Sequence, residues 1–205
     1  DAGRLAYAKQ LGLTQSIQSE ELNSVIPSYL KDNDNHWFGL TKRARVIIYS
    51  KERVKPEQLS TYEDLANPKW KGKINVRSST NIYNQALYAS IIANLGEEKA
   101  LKWAKSVVTN FTQEPSGNDR DQISNVAIGK GDLAIANTYY LGKLINSENE
   151  MEQNAAKSVA VFFPNQEGRG THVNISGAAV TKYSKNKENA VKLIDVLVSF
   201  EAQKV

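Results

Sequence analysis

The chain has no cysteine among its 205 residues, which removes disulfide frameworks, zinc–thiolate sites, iron–sulfur clusters and cysteine nucleophiles together. Histidine is nearly as scarce: only His36 and His172 are present, which argues against a histidine-rich transition-metal site. No apolar run approaches the ~20 residues needed to cross a bilayer, and no secretory leader is visible. No block of like charge stands out either. The net charge is +4, and the densest basic cluster, Lys42-Arg43-Ala-Arg45, runs into an apolar strand pattern instead of an exposed helix. Nucleic-acid binding calls for a clustered basic face interleaved with stacking aromatics, and the chain shows none.

What is present has the make-up of an ordinary globular protein, 40% hydrophobic and 23% charged. Its elements alternate. A helical pattern covers 1–12, a loop with a turn-rich stretch at 31–35 follows, and strands are predicted at 37–40 and 43–49. Short helical turns come at 56–59 and 61–65, the second opened by Thr61 with Asp64 three residues on. A strand at 73–77 leads through Ser78-Ser-Thr-Asn81 into a helix reaching about 95, where Ile82, Ala86, Ala89, Ile92 and Ala93 recur at helical spacing. Helices are predicted at 97–111 and 120–128, then a strand at 132–137 and a helix at 139–146. A polar linker at 148–157, strands at 159–163 and 172–180 and a closing helix at 187–200 complete the pattern.

Repeated β-α units with two long extended stretches predict an α/β fold with a mixed sheet. The stretches at 43–49 and 172–180 are candidates for twin crossovers between two lobes. On that reading residues 1–45 belong to the first lobe, 46–168 form a continuous second lobe, and 169–205 return to the first. The opening Asp1-Ala-Gly-Arg-Leu5 and a last helix running toward Val205 without a cap both read as cut ends of a longer chain.

Tyr139 and Tyr140 follow directly on the apolar strand at 132–137 and open the next helix. Strand-to-helix junctions are where α/β sheets bind ligands, beside a strand's carboxyl end and a helix N-terminus. Phenol oxygens converging there suit a hard, highly charged cation that can strip their protons. The alternative is that one ring packs under the helix while the other lies on the surface. Tyr7, Tyr29, Tyr62 and Tyr183 sit in packing or surface contexts, and Tyr88, five residues after Tyr83, points off its face and packs. His172 begins an apolar strand as a structural histidine, and His36 lies in an exposed loop. Arg120, between Asp119 and Asp121, reads as a loop-ordering residue. Gly168 and Gly170 form no phosphate loop, because no Lys-Ser/Thr follows them.

Many ordered stretches resemble one family, the periplasmic ferric-ion-binding proteins of bacterial iron(III) ABC importers. They include Arg43-Ala-Arg-Val-Ile-Ile-Tyr49, Thr61-Tyr-Glu-Asp-Leu-Ala-Asn-Pro-Lys-Trp-Lys-Gly72 and Arg77-Ser-Ser-Thr-Asn-Ile-Tyr-Asn-Gln85. Gly117-Asn-Asp-Arg-Asp-Gln-Ile123, Gly131-Asp-Leu-Ala-Ile-Ala-Asn-Thr-Tyr-Tyr140 and Gly170-Thr-His-Val-Asn-Ile-Ser-Gly177 continue the match. The resemblance implies a two-lobed type II periplasmic-binding-protein fold with iron held in the cleft, and a secretory leader in the precursor. It implies a monomer that serves an inner-membrane ABC permease. Tyr139 and Tyr140 match the paired tyrosine ligands, and Tyr83 matches a third in the branch that binds iron largely through phenolates. A further ligand often comes from a segment preceding the stretch matched here. Asn137 matches an amide that contacts the cleft anion, such as carbonate. Arg45 resembles an arginine used with that anion, with Arg43 on the same strand face as the alternative match, and a salt bridge at the lobe boundary is an equal reading of Arg45.

The chemistry agrees with the resemblance. Tyr83 and Tyr139 each stand in the first turn of a helix that follows a strand, so neighbouring strands would aim both rings at one crevice. A tyrosine ionises near ~10, so phenolate at neutral pH requires a strong adjacent positive charge, which Fe(III) supplies. Two other classes compete. An enzyme would need a nucleophile–base pair or paired acids at strand ends, and Ser79 and the Asp119/Asp121 pair lack such partners. A receptor of the same fold for an organic anion, without metal, is the nearer alternative, because fold does not fix ligand.

Overall fold

The computed structural model describes residues 1–204; Val205, toward which the last helix was read to run, lies outside the described residues. In chain order the elements begin α1 (Ala2–Gln10), β1 (Thr14–Gln15), α2 (Glu20–Val25), β2 (Phe38–Ser50), β3 (Ile74–Asn75), α3 (Ile82–Leu95) and α4 (Glu97–Val108). They continue α5 (Asp119–Ala127), β4 (Leu133–Asn137), α6 (Thr138–Ile145), α7 (Glu150–Ser158) and β5 (Val159–Phe162). Last come β6 (Val173–Ala178), β7 (Val180–Thr181), α8 (Lys187–Val198) and α9 (Phe200–Gln203). The chain divides into two compact units, one of Asp1–Lys42 with Asn174–Val205 and the other Arg43–Val173.

The continuous unit, Arg43–Val173, is a helix–sheet–helix sandwich. Its strands run β3-β4-β2-β5, with β3 parallel to β4 and β2 antiparallel to both β4 and β5. Alternation along the strands sorts side chains to opposite faces. Ile47, Tyr49, Leu133 and Ile135 point to one side, with Leu87 and Ile91 of α3 and Ala100 and Val107 of α4. Val46, Ile48, Ala134 and Ala136 point to the other, against Ile123 and Val126 of α5, Leu141 and Leu144 of α6 and Ala156 of α7. A sheet covered on both faces reads as an unbroken apolar run, as 133–136 does. The parallel β3–β4 pair carries two helices away from the same end of the sheet, α3 after β3 and α6 after β4.

Three readings are corrected. The strands at 37–40 and 43–49 are one 13-residue strand, because Lys42 and Arg43 continue the ladder despite their charge. The polar linker at 148–157 is α7, capped by Asn149 and seated through Ala156. The loop after residue 12 contains α2, whose Ser19 cap accepts from the Leu22 amide at 3.1 Å. In the discontinuous unit β1 pairs antiparallel with β7, and Ile17, Leu22, Ile26, Phe38, Val180, Ile194 and Val198 form the core. None of its described helices is long and apolar enough to cross a membrane, nor is any in the continuous unit.

Candidate functional site

Two strand-to-helix junctions of the continuous unit build the site. At the first, Asn81 caps α3 by accepting from the Tyr83 amide at 3.0 Å, which fixes Tyr83 in the first turn. At the second, Asn137 ends β4 and Thr138 begins α6, so Tyr139 and Tyr140 occupy its first turn. Because β3 and β4 are neighbours, the two turns face one another. The Tyr139 hydroxyl donates to the Tyr83 oxygen at 3.3 Å. The Tyr139 and Tyr140 rings lie 4.3 Å apart between centroids with a 31° tilt, and Tyr140 also rests on the core beneath α6. All three tyrosines are half-buried, with their oxygens turned toward one place.

Positive charge surrounds them. The guanidiniums of Arg43, Arg77 and Arg45 stand 5.5, 5.7 and 5.9 Å from the Tyr83 ring centroid. Lys143, one helical turn beyond, lies 5.5 Å from the Tyr139 ring and 5.9 Å from that of Tyr140. Against this stands Asp119, fully buried at the first position of α5. Its Oδ2 accepts from Arg45 Nη1 and from the Asn137 amide (2.9 Å), and its Oδ1 from Arg77 Nη1 (3.4 Å). Asn84, next to Tyr83, accepts from Arg45 Nη2 at 2.7 Å and donates to the carbonyls of Arg77 (2.6 Å) and Ser78 (3.2 Å).

Burial pushes the Tyr139 phenol well above its ordinary value, and the hydrogen bonds it shares with Tyr140 and Tyr83 push the same way. Asn137, whose amide leans toward that hydroxyl, draws it down. The Tyr139 phenol therefore holds its proton firmly, and only a cation that binds phenolate strongly could displace it. No group of three His, Cys, Asp or Glu side chains among the described residues could hold a metal in the usual way.

Arg45 is 1% exposed and forms the Asp119 ion pair, and its Nη1 also reaches Asn137 Oδ1 at 3.3 Å. Burial pushes its guanidinium down, and the Asp119 carboxylate opposes that. Asn137 lies opposite Arg45 in the β2–β4 register and is 3% exposed. Among the described residues the buried Asn137 Nδ2, Arg45 Nε and Arg77 Nε have no hydrogen-bond partner. Tyr88 stacks on Trp103 at 6.5 Å, where both line an apolar cavity of about 570 Å³ with Leu87 and Phe111; none of the three clustered tyrosines lines it. Tyr62 is buried, donating to the Arg45 carbonyl and accepting from the His172 amide (3.1 Å). His36 is tied to Thr14 Oγ1 at 2.9 Å. Arg120 pairs with Glu152 of α7, fastening two helices in place of ordering a loop.

Sequence reading passed over Asp119, Arg77, Asn84 and Lys143. Asp119 follows the Asn118 cap, so its carboxylate reads as a first-turn acid and its buried partners lie far away in the chain. Lys143 alone had a local signal, being one turn from Tyr139 on the same helix face.

All 205 residues match the family described as bacterial extracellular solute-binding proteins, so the chain belongs to that family. The family is one of transport proteins and not enzymes, and it places the chain in the periplasm. The chain is 56% identical to Iron uptake protein A1 of Synechocystis sp. over 99% of its own length and 56% of that protein's. It is 48% identical to Iron uptake protein A2 of the same organism, over 100% of this chain and 60% of the relative. A Trichodesmium protein (IdiA, FutA), solved in complex with iron and citrate ligands, superposes with a TM-score of 0.97. That match has 55% identity and covers 100% of this chain and 65% of the other. The chain thus spans 56% to 65% of the length of these three proteins. The type II periplasmic-binding-protein fold expected from the resemblance is the fold observed.

Proposed function

We propose that this protein binds ferric iron in the periplasm through the phenolates of Tyr83, Tyr139 and Tyr140 and delivers it, as a monomer, to an inner-membrane ABC permease. The observation that carries the reading is the meeting of three phenols from two strand-end helices, with a 3.3 Å contact between the Tyr139 and Tyr83 oxygens. Packing alone offers no reason to gather three hydroxyls beside half-exposed rings. Fe(III) does: three phenolates neutralise its formal charge and leave coordination positions for water or an anion. Kinship with proteins named for iron uptake supports the same reading.

The ion enters with an anion, of which carbonate is one candidate and a carboxylate such as citrate another. Four cationic side chains surround the tyrosines, so a bare trivalent ion is repelled until the phenols ionise. Asn137 Nδ2, Arg45 Nε and Arg77 Nε are buried donors awaiting an acceptor. Arg45 holds the donor set in place through its ion pair, and its Nε is the guanidinium nitrogen without a partner.

The same cationic setting keeps one other reading in play, a receptor for an organic anion without metal. Colour separates them. Adding ferric citrate to the protein should produce a visible phenolate-to-iron charge-transfer band, which Tyr139→Phe or Tyr140→Phe weakens or abolishes along with iron retention, while the fold survives. Citrate binding with no band in the wild-type protein would establish the organic-anion receptor instead.

A further inference from the structure

We infer that Asp119 is the positioning residue of this site, a buried carboxylate that sets Tyr83 and Tyr139 in register by holding both strand ends at once. The inference rests on the ferric reading above. An ordinary ion pair fastens two elements. Asp119 fastens three: β2 through Arg45, the exit from β3 through Arg77 and the β4–α6 junction through the Asn137 amide. Two of these partners, Arg45 and Arg77, stand over the Tyr83 ring, at 5.9 and 5.7 Å. The third is the backbone two residues ahead of Tyr139. Both ends of the 3.3 Å phenol contact are therefore referenced to one carboxylate. Asn84 closes the circuit, accepting from Arg45 and donating to the Arg77 and Ser78 carbonyls immediately ahead of α3.

Two consequences follow from electrostatics and geometry. Without the carboxylate the Arg45 and Arg77 guanidiniums lose their buried counter-charge, so a Tyr83 phenolate is held more tightly by its surroundings and donates less to iron. Its charge-transfer band then moves to shorter wavelength. Without the three hydrogen bonds, the two strand ends are no longer indexed to each other, and iron affinity falls. Outer-shell partners of metal ligands typically carry 10–100-fold in affinity.

The test compares wild type, Asp119→Asn, Tyr83→Phe and the double variant, each loaded with ferric citrate and challenged with a competing chelator. Asp119→Asn should retain iron at least about tenfold less well and absorb at shorter wavelength. Because Asp119 acts through Tyr83, the double variant should lose less than the product of the two single losses. An unshifted band, or losses that multiply, would overturn the assignment. Arg120→Gln, which cuts the neighbouring ion pair with Glu152, serves as the stability control and should keep the wild-type band and retention. Should Asp119→Asn fail to fold, Asn84→Ala cuts the same circuit without stranding a buried charge. It should lose retention several-fold, again non-multiplicatively with Tyr83→Phe, and wild-type retention in it would sink the inference. Absence of any band in the wild type would instead remove the ferric reading itself.

Discussion

Single residues divide cleanly here into donors, packers and titrating neighbours. Tyr83 and Tyr88 lie on the same helix, yet only Tyr83 reaches the other phenols while Tyr88 stacks on Trp103. Tyr83→Phe should therefore weaken retention of ferric iron against a chelator by at least about tenfold, whereas Tyr88→Phe should leave it near wild type. Equal sensitivity would mean that the first turn of α3 does not face the metal. His172 supplies a different test. Burial, reinforced by the Arg45 and Arg43 guanidiniums, pushes its imidazole down to about 4. The unfolded chain, titrating near ~6.5, takes up the proton first as pH falls. Stability linked to His172 is thus intact above about pH 7 and is lost between about pH 6.5 and 4, by up to about 3 kcal/mol. His172→Gln should flatten that part of the curve in urea unfolding at about pH 7 and about pH 4.5. The same acid loss in both proteins would show that His172 does not titrate in this way.

Among the elements, those with strong local signals were legible and those chosen by packing were not. Helix α3 was plain from its apolar spacing and the Asn81 cap, and β4 from its unbroken apolar run. Helix α7 was hidden because Ala156, its buried residue, is too small to stand out in a polar stretch; contact with α5 and α6 selects the helix. The β3–β4 pairing matters most to the site, and Gly131 guards it. This glycine has φ +89°, and a Cβ there would meet Thr112 Cγ2 at 2.4 Å, Asn75 Nδ2 at 2.7 Å and the Lys73 carbonyl at 2.8 Å. Gly131→Ala should cost roughly 2–4 kcal/mol through backbone strain and overlap. Urea unfolding measures it, and a loss under about 1 kcal/mol would show that the junction yields freely.

At the scale of the molecule, the proposed ferric site couples metal uptake to protons. Burial and shared hydrogen bonds keep the Tyr139 phenol protonated without metal, so as the proposed iron ligand it would give up that proton on binding. If all three tyrosines bind as phenolates, apparent affinity rises with pH, and removing one phenolate in Tyr83→Phe should lower the slope of log affinity against pH by about one. Buffer and chelator must be identical in the two titrations. Equal slopes would exclude Tyr83 as a phenolate ligand and strengthen the organic-anion reading.

Sequence by itself determined the α/β class, the two junctions and the three tyrosines, because strand pattern, caps and first-turn placement are local properties written within a few residues. It also carried the ordered matches that mark the family. Only the tertiary structure decided what surrounds the phenols. Asp119 meets Arg45 across 74 positions and Arg77 across 42, and Asn84 meets Arg45 across 39. A buried charge is tolerable only beside its partner, and that partner is chosen by strand order and register, which no local pattern encodes.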